Sequence, residues 1–142
     1  MPSLMWELDA IARCATQYRT EMLAPLGLKS CHASYLLHIC TDPGISQEQL
    51  ARRIFFNKSS VARQLAVLEE SGFIRRIPSE SDRRVTCLYP TEKAQQALPQ
   101  ISQVLWDWEK LVTQDLAQGE QAAILGVLTR IKARAAHRVQ QE

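Results

Sequence analysis

Apolar positions recur with helical spacing almost from the start of the chain. Leu4, Leu8, Ile11, Ala15, Tyr18 and Met22 step by four and three, which draws one stripe down a first helix. Pro25 and Gly27 supply its stop. A second helix is predicted from Ser30 to about Cys40, with Tyr35, Leu36 and Ile39 inward, and Asp42-Pro43-Gly44 reads as a turn. Ser46-Gln47-Glu48-Gln49 has the spacing of a capping box, so a short helix should open there and run to about Arg53, buried through Leu50 and Ala51. Asn57 is placed to cap the next helix, whose apolar face is Val61, Leu65 and Leu68, and Gly72 is placed to end it.

The period then changes. Phe73–Ile77 and Val85–Tyr89 are short strand-like runs on either side of a polar tip that carries Pro78, Ser79, Ser81 and the basic pair Arg83-Arg84 beside Asp82. They predict a β-hairpin with a cationic end. A long helix opens at Thr91, with Leu98, Ile101, Leu105, Trp108, Val112 and Leu116 on one stripe and Pro99 as a kink or restart. Gly119 separates it from a last helix with Ile124, Leu128, Ile131 and Ala135 on one face. The basic residues near its end, Arg130, Lys132, Arg134 and Arg138, suit the negative pole of the helix dipole. The fold class is mainly α with a small β-hairpin (α+β). An amphipathic helix followed by a basic hairpin is the arrangement of a winged helix-turn-helix on DNA.

Length and charge agree with that picture. The chain has 142 residues, about the size of one domain. No apolar run approaches the roughly 20 residues that span a bilayer. The Met1–Glu7 stretch lacks a basic, then apolar, leader, so a cytoplasmic location and no membrane partner are expected. Net charge is +2, but Ser46–Thr91 carries +3 and the remainder −1, so the cationic surface lies in the middle third. Cys14, Cys31, Cys40 and Cys87 form no CxxC pair and are expected to be buried free thiols.

These elements together resemble the MarR family of winged-helix transcription regulators. The family wing reads Asp-x-Arg, five residues, then Leu-Thr. Here Asp82-Arg83-Arg84 is followed by five residues and Pro90-Thr91, so the spacing is kept while Pro90 replaces the usual Leu. Leu68-Glu69-Glu70-Ser71-Gly72 matches the preceding Leu-Glu-x-x-Gly, and Asn57-Lys58-Ser59 matches the Asp-Lys-Ser that opens the recognition helix. Gly119 is a second departure from the commoner pattern. The resemblance implies a homodimeric DNA-binding regulator, a repressor on a pseudo-palindromic operator. In that division about 30–91 is the DNA-binding module, and about 1–29 and 92–142 are dimerisation helices. The long apolar stripes of the first and last helices fit burial against a second copy.

On this reading Ser59, Ser60, Arg63 and Gln64 face the major groove, with Lys58 beside a phosphate. Arg63 can donate twice to guanine O6 and N7, and Gln64 can pair with adenine N6 and N7. The resemblance assigns Arg84 to the minor groove, with Asp82 orienting it, and Arg83 to phosphate; Arg75 and Arg76 flank the hairpin base. Family members commonly answer to a small molecule. Arg13, His32, Tyr35 and Trp108, with Trp6 and Tyr18 nearby in the pattern, would line a pocket for a small aromatic or phenolic effector. Cys14 is the candidate for an alternative, redox-sensing regulator of the same fold, although it lies later in the first helix than the sensing cysteine of such relatives. A further alternative is a winged helix used only for protein contacts. Cys31 and His38 could share a helix face, but Cys40 would point elsewhere, so neither a metal nor a cofactor is expected. No nucleophile elbow, phosphate-binding Gly loop or ligand cluster supports an enzyme.

Overall fold

The first helix, α1, covers Leu4–Leu23 and passes into a 3-10 turn, Ala24–Leu26. Gly27, at φ 74°, then takes the left-handed conformation that closes such a turn. Helices α2 (His32–Thr41), α3 (Gln47–Ile54) and α4 (Lys58–Glu70) follow, then strands β1 (Ile74–Pro78) and β2 (Thr86–Pro90), and helices α5 (Glu92–Thr113) and α6 (Gln118–Val139). This computed structural model describes residues 2–140. The chain forms two compact units, the first ending at Trp106 and the second beginning at Asp107.

The core of the first unit is built from the predicted stripes of α2, α3 and α4. Tyr35, Leu36 and Ile39, then Leu50 and Ala51, then Val61, Leu65 and Leu68 are all buried. Leu23, Ile45, Phe73, Ile74, Leu88, Ala94 and Ile101 close it. Full burial of one such Leu is worth roughly 1.5–3 kcal/mol over leaving it in water. The Ser46 box forms as expected: its hydroxyl accepts from Gln49 N–H at 3.1 Å, and Gln49 Oε1 accepts from Ser46 N–H at 3.0 Å. Helix α3 ends at Phe55, which holds φ 60° without being glycine. Gly72, at φ 83°, ends α4 as the sequence predicts.

The hairpin pairs Ile74 with Pro90 through to Pro78 with Thr86. It therefore starts and ends one residue later than the expected runs, and Pro90 is the last residue of β2. A proline has no N–H to give, and a strand terminus is where that loss is tolerated. The other edge of β2 is held too, because Gly44 N–H donates to Leu88 O at 2.7 Å and Leu88 N–H donates to Ile45 O at 2.9 Å. Thr91 precedes α5 rather than beginning it. Its hydroxyl donates to Gly72 O at 2.6 Å, and its oxygen accepts from Ala94 N–H at 3.3 Å.

Three expectations about the outer helices need correction. Helix α5 runs unbroken through Pro99, and its buried positions are Ala94, Ala97, Ile101 and Val104. Of the stripe expected from the sequence, Ile101 is buried, Leu98, Leu105 and Trp108 lie at the edge of that face, half-buried, and Val112 is exposed. Leu116 lies beyond the end of the helix. Gly119 is the second residue of α6, not a separator; the turn before it is closed by Leu116 N–H donating to Thr113 O and by Ala117 N–H donating to Glu120 Oε1, both 3.0 Å.

Within its own chain α1 buries only Ala15 and Leu23, leaving Leu4, Met5, Trp6, Ile11 and Met22 exposed. In the second unit α6 buries no residue, and Ile124, Leu125 and Val127 are open to solvent. No helix among the described residues is long and apolar enough to cross a membrane.

Candidate nucleic-acid interface

Helix α4 presents its polar start through one asparagine. Asn57 Oδ1 accepts from Ser60 N–H at 2.7 Å and from the Ser59 hydroxyl at 2.8 Å, which satisfies an orphan donor of the first turn and orients a side chain in the same step. The Arg63 guanidinium donates to Ser60 Oγ at 3.2 Å, one turn further on. Asn57, Ser59, Ser60 and Arg63 are thus one linked surface on the face opposite Val61, Leu65 and Leu68. Lys58 stands beside them but is not idle: its ammonium meets Glu48 Oε1 of α3 at 3.3 Å, the oxygen that also holds Arg52 at 3.3 Å.

The wing arginine is held from its own tip. Asp82 Oδ1 accepts from the backbone N–H of Arg84 at 3.1 Å and from Nε at 3.1 Å, and Oδ2 accepts from Nη2 at 3.2 Å. These bonds from Arg84 hold the Asp82 carboxyl below its ordinary pKa, so it stays ionised. The Arg84 side chain is nonetheless 91% exposed, a cation of fixed direction on an open surface. Arg83 is exposed beside it. A shallow hollow of about 180 Å³ lies between Arg84, Val85 and Thr86 of the wing, Lys58 of α4, and Gln47 and Glu48 of α3. It brings the two cationic elements of the first unit to one surface.

Arg76 has a different use. Its Nε and Nη2 donate to Glu69 Oε1 at 3.2 and 3.0 Å, and its backbone N–H donates to Glu69 Oε2 at 2.9 Å. This joins the last turn of α4 to the first strand of the wing. The same contacts hold the Glu69 carboxyl below its usual range. Nothing in the sequence marks Glu69 as the partner, since the pair is seven residues apart across the Gly72 turn. Arg75 is exposed on the same strand.

Gln64 is half-buried on the flank of α4, not free on its outer face. Its Oε1 lies 2.8 Å from His32 Nε2 of α2. His32 Nδ1 accepts from Lys29 N–H at 3.0 Å. His32 is only 1% exposed, and its burial pushes the pKa down, so the ring is neutral with its one proton on Nε2.

The residues expected to line an effector pocket come from α1, α2 and α5. His32 and Tyr35 are core residues whose rings meet edge to face at 6.3 Å, and Tyr35 also contacts Phe56 at 6.4 Å. Burial, with Cys31 nearby, pushes the Tyr35 phenol up to about 12. Arg13 lines an open depression on α1 with Ala12, Thr16 and Gln17, and neither ring is part of it. Trp108 belongs to the second unit. The cysteines also divide. Cys31, Cys40 and Cys87 are half-buried, and burial raises the Cys31 and Cys40 thiols. Cys14 is exposed, against the expectation of a buried thiol, because it follows the arc of α1 that faces away from the core. No cluster of three or more His, Cys, Asp or Glu suited to a metal occurs among the described residues.

Comparison with known proteins follows the same outline. The MarR family profile matches residues 26–85, from the end of the 3-10 turn to the wing tip. The chain is similar to the HTH-type transcriptional regulator YybA of Bacillus subtilis strain 168, itself uncharacterized, at 33% identity over 99 residues covering 70% of this chain and 66% of that protein. It is similar to a regulatory protein of Thauera aromatica tied by its name to the hcr operon, at 34% identity over 93 residues covering 66% of this chain. The chain spans 56–66% of the length of these two curated relatives. Among solved structures it is similar to a crystal structure of MarR, at 31% identity and a TM-score of 0.87, with 96% of this chain and 93% of that one covered.

Proposed function

From the premise that the chain belongs to the MarR family of transcriptional regulators, we propose that it is a sequence-specific double-stranded-DNA-binding regulator whose recognition helix is α4 and whose wing carries Arg84. One observation supports this reading above the others: the Asn57-capped start of α4 and the Asp82-braced Arg84 are both exposed, cationic and built in advance, and they flank one hollow. A helix of this kind reads base edges in the major groove while a wing cation meets the minor groove or its phosphates. Lys58, Ser59 and Ser60 position the helix on the backbone, Arg63 reads a base, Arg83 meets phosphate, and Asp82 sets the direction of Arg84. Lys58 exchanges Glu48 for a phosphate on binding.

The finer reading is a homodimeric, cytoplasmic repressor on a pseudo-palindromic operator, with 30–91 as the DNA module and the outer helices as dimerisation elements. The exposed apolar residues of α1 and, separately, of α6 support the homodimer. Release by a small aromatic or phenolic effector rests on the family resemblance. The exposure of Cys14 supports a second reading, in which oxidation of that thiol releases the DNA.

The test is binding of the purified protein to its own upstream DNA across a salt series, with and without reductant. Steeply salt-dependent, sequence-selective binding that weakens in Arg84→Ala while the oligomer persists is the expected result. Absence of binding at low salt, even to pooled genomic fragments, would overturn the reading. Loss of binding under oxidant that Cys14→Ser prevents would select the redox branch.

A further inference from the structure

The recognition-helix glutamine is an ambiguous reader in principle. A free Gln amide offers a donor and an acceptor together, which matches adenine N6 and N7. Here the ambiguity is removed from inside the protein. Lys29 N–H donates to His32 Nδ1 at 3.0 Å, so that nitrogen carries a lone pair and the ring proton of the neutral imidazole sits on Nε2. A donor at Nε2 can meet only an acceptor at 2.8 Å, so Gln64 must turn its Oε1 inward. The opposite amide orientation would set two N–H groups against each other. The Gln64 amide nitrogen makes no hydrogen bond within the described residues and is not among their fully buried unpaired atoms.

We propose that His32 is a specificity-determining positioning residue, which captures the Gln64 carbonyl and leaves α4 with a donor-only amide at that point. The inference rests on the DNA-binding reading above and deepens it. A donor alone recognises an acceptor alone. In the major groove guanine presents N7 and O6, adenine N7 and thymine O4 as acceptors, so Gln64 can donate to any of these and does not single out adenine over guanine. The bidentate adenine contact expected from the sequence is unavailable while Oε1 is turned inward to His32 Nε2–H. A side chain of α4 is thus oriented by a core residue of α2.

The experiment is selection from a randomised duplex library by the full-length wild type, Gln64→Ala and His32→Phe. Gln64→Ala should lose the preference at one base pair in each half-site. At that pair the wild type should not favour adenine over guanine. His32→Phe keeps an aromatic ring against Tyr35 but frees the Gln64 carbonyl, so adenine should rise over guanine roughly tenfold, the smaller end of the discrimination that a bidentate pair gives. A merely structural role for His32 would lower affinity at every position and leave that ratio unmoved. Strong adenine-over-guanine selection by the wild type, an unchanged ratio in His32→Phe, or no effect of Gln64→Ala would each overturn the proposal while leaving DNA binding intact. Should His32→Phe not fold, Gln64→Glu serves. It keeps an oxygen for His32 and puts an acceptor outward, so guanine should give way to cytosine or adenine, whose N4 and N6 donate; retained guanine overturns the proposal. Nitrogen NMR of the His32 ring supplies the arm without DNA: protonation at Nε2 is expected, and protonation at Nδ1 overturns the inference. A wild type that selects no sequence at all removes the parent reading instead.

Discussion

Removing the Glu69 carboxylate is the perturbation that most sharply separates structural from DNA-facing cations in this chain. In the free protein Glu69 receives three bonds from Arg76, two of them on the one oxygen Oε1. The side chains are 38% and 30% exposed, so water competes with the pair and its Coulombic part must be discounted to about 0.5–1 kcal/mol. The bond from the Arg76 backbone N–H is charge-assisted and adds about 1 kcal/mol, because replacement by Ala leaves that donor to water alone. Glu69→Ala should therefore destabilise by about 1–2 kcal/mol, or roughly 3–8 °C in midpoint for a chain of this size. Glu69→Gln keeps an oxygen for the N–H and should lose about half as much. Urea unfolding at one fixed protein concentration gives the values, and a double-mutant cycle with Arg76→Ala should return a coupling of about 0.5–1 kcal/mol. The pH dependence has a defined sign. The folded Glu69 pKa is depressed, so its contribution is present above the ordinary value of 4.5 and fades as pH falls through the folded value. On DNA the outcome is equally specific. Arg76→Ala should leave the salt slope of binding unchanged, whereas Arg84→Ala should reduce it by about one phosphate equivalent. Wild-type stability in Glu69→Ala, or a slope loss in Arg76→Ala equal to that in Arg84→Ala, would refute the assignment of Arg76 as a tie between helix and wing.

Asn57→Ala should cost about 1 kcal/mol of stability in thermal melts, as loss of a helix N-cap does, and should weaken DNA binding further because Ser59 and Ser60 lose their common acceptor. Arg63→Ala should cost about 1–3 kcal/mol in binding and relax the preference at one base position per half-site; a uniform loss across sequences in titrations would make it a phosphate contact. Burial lowers the pKa of both His32 and His38, with Gln64 opposing at His32 and Arg53 adding at His38. The unfolded chain then binds protons that the folded chain refuses, so stability should be full above the ordinary value of 6.5 and fall below it. Urea midpoints at about pH 7.5 and about pH 5.5 check this, and His32→Phe should flatten the difference.

Much of the site was legible because its signals are local. The Ser46 box, the Asn57 cap, the Gly72 stop and the Asp82–Arg84 pair are each set by residues within three positions of one another, where chain geometry leaves little choice. The buried faces of α2, α3 and α4 were equally legible, since helical period alone determines which side chains share a side. The outer helices were not. Period placed a stripe on α5 through Leu98, Ile101 and Leu105, but which arc is most buried depends on what packs against it, and the core took Ile101 together with Ala94, Ala97 and Val104. The burial of His32 and Tyr35 is likewise set by what packs around α2 and not by residue type.

By itself the sequence determined the order of elements, the capped start of α4, the braced wing arginine and the family. Each follows from short-range stereochemistry or from a spacing preserved along the chain. Only the tertiary structure decided which arginine is spent on Glu69, which thiol is exposed, and that Gln64 is tied to a histidine 32 residues earlier. Those outcomes turn on a hydrogen bond or a packing contact between elements distant in sequence, and no periodicity carries the direction of a side-chain amide.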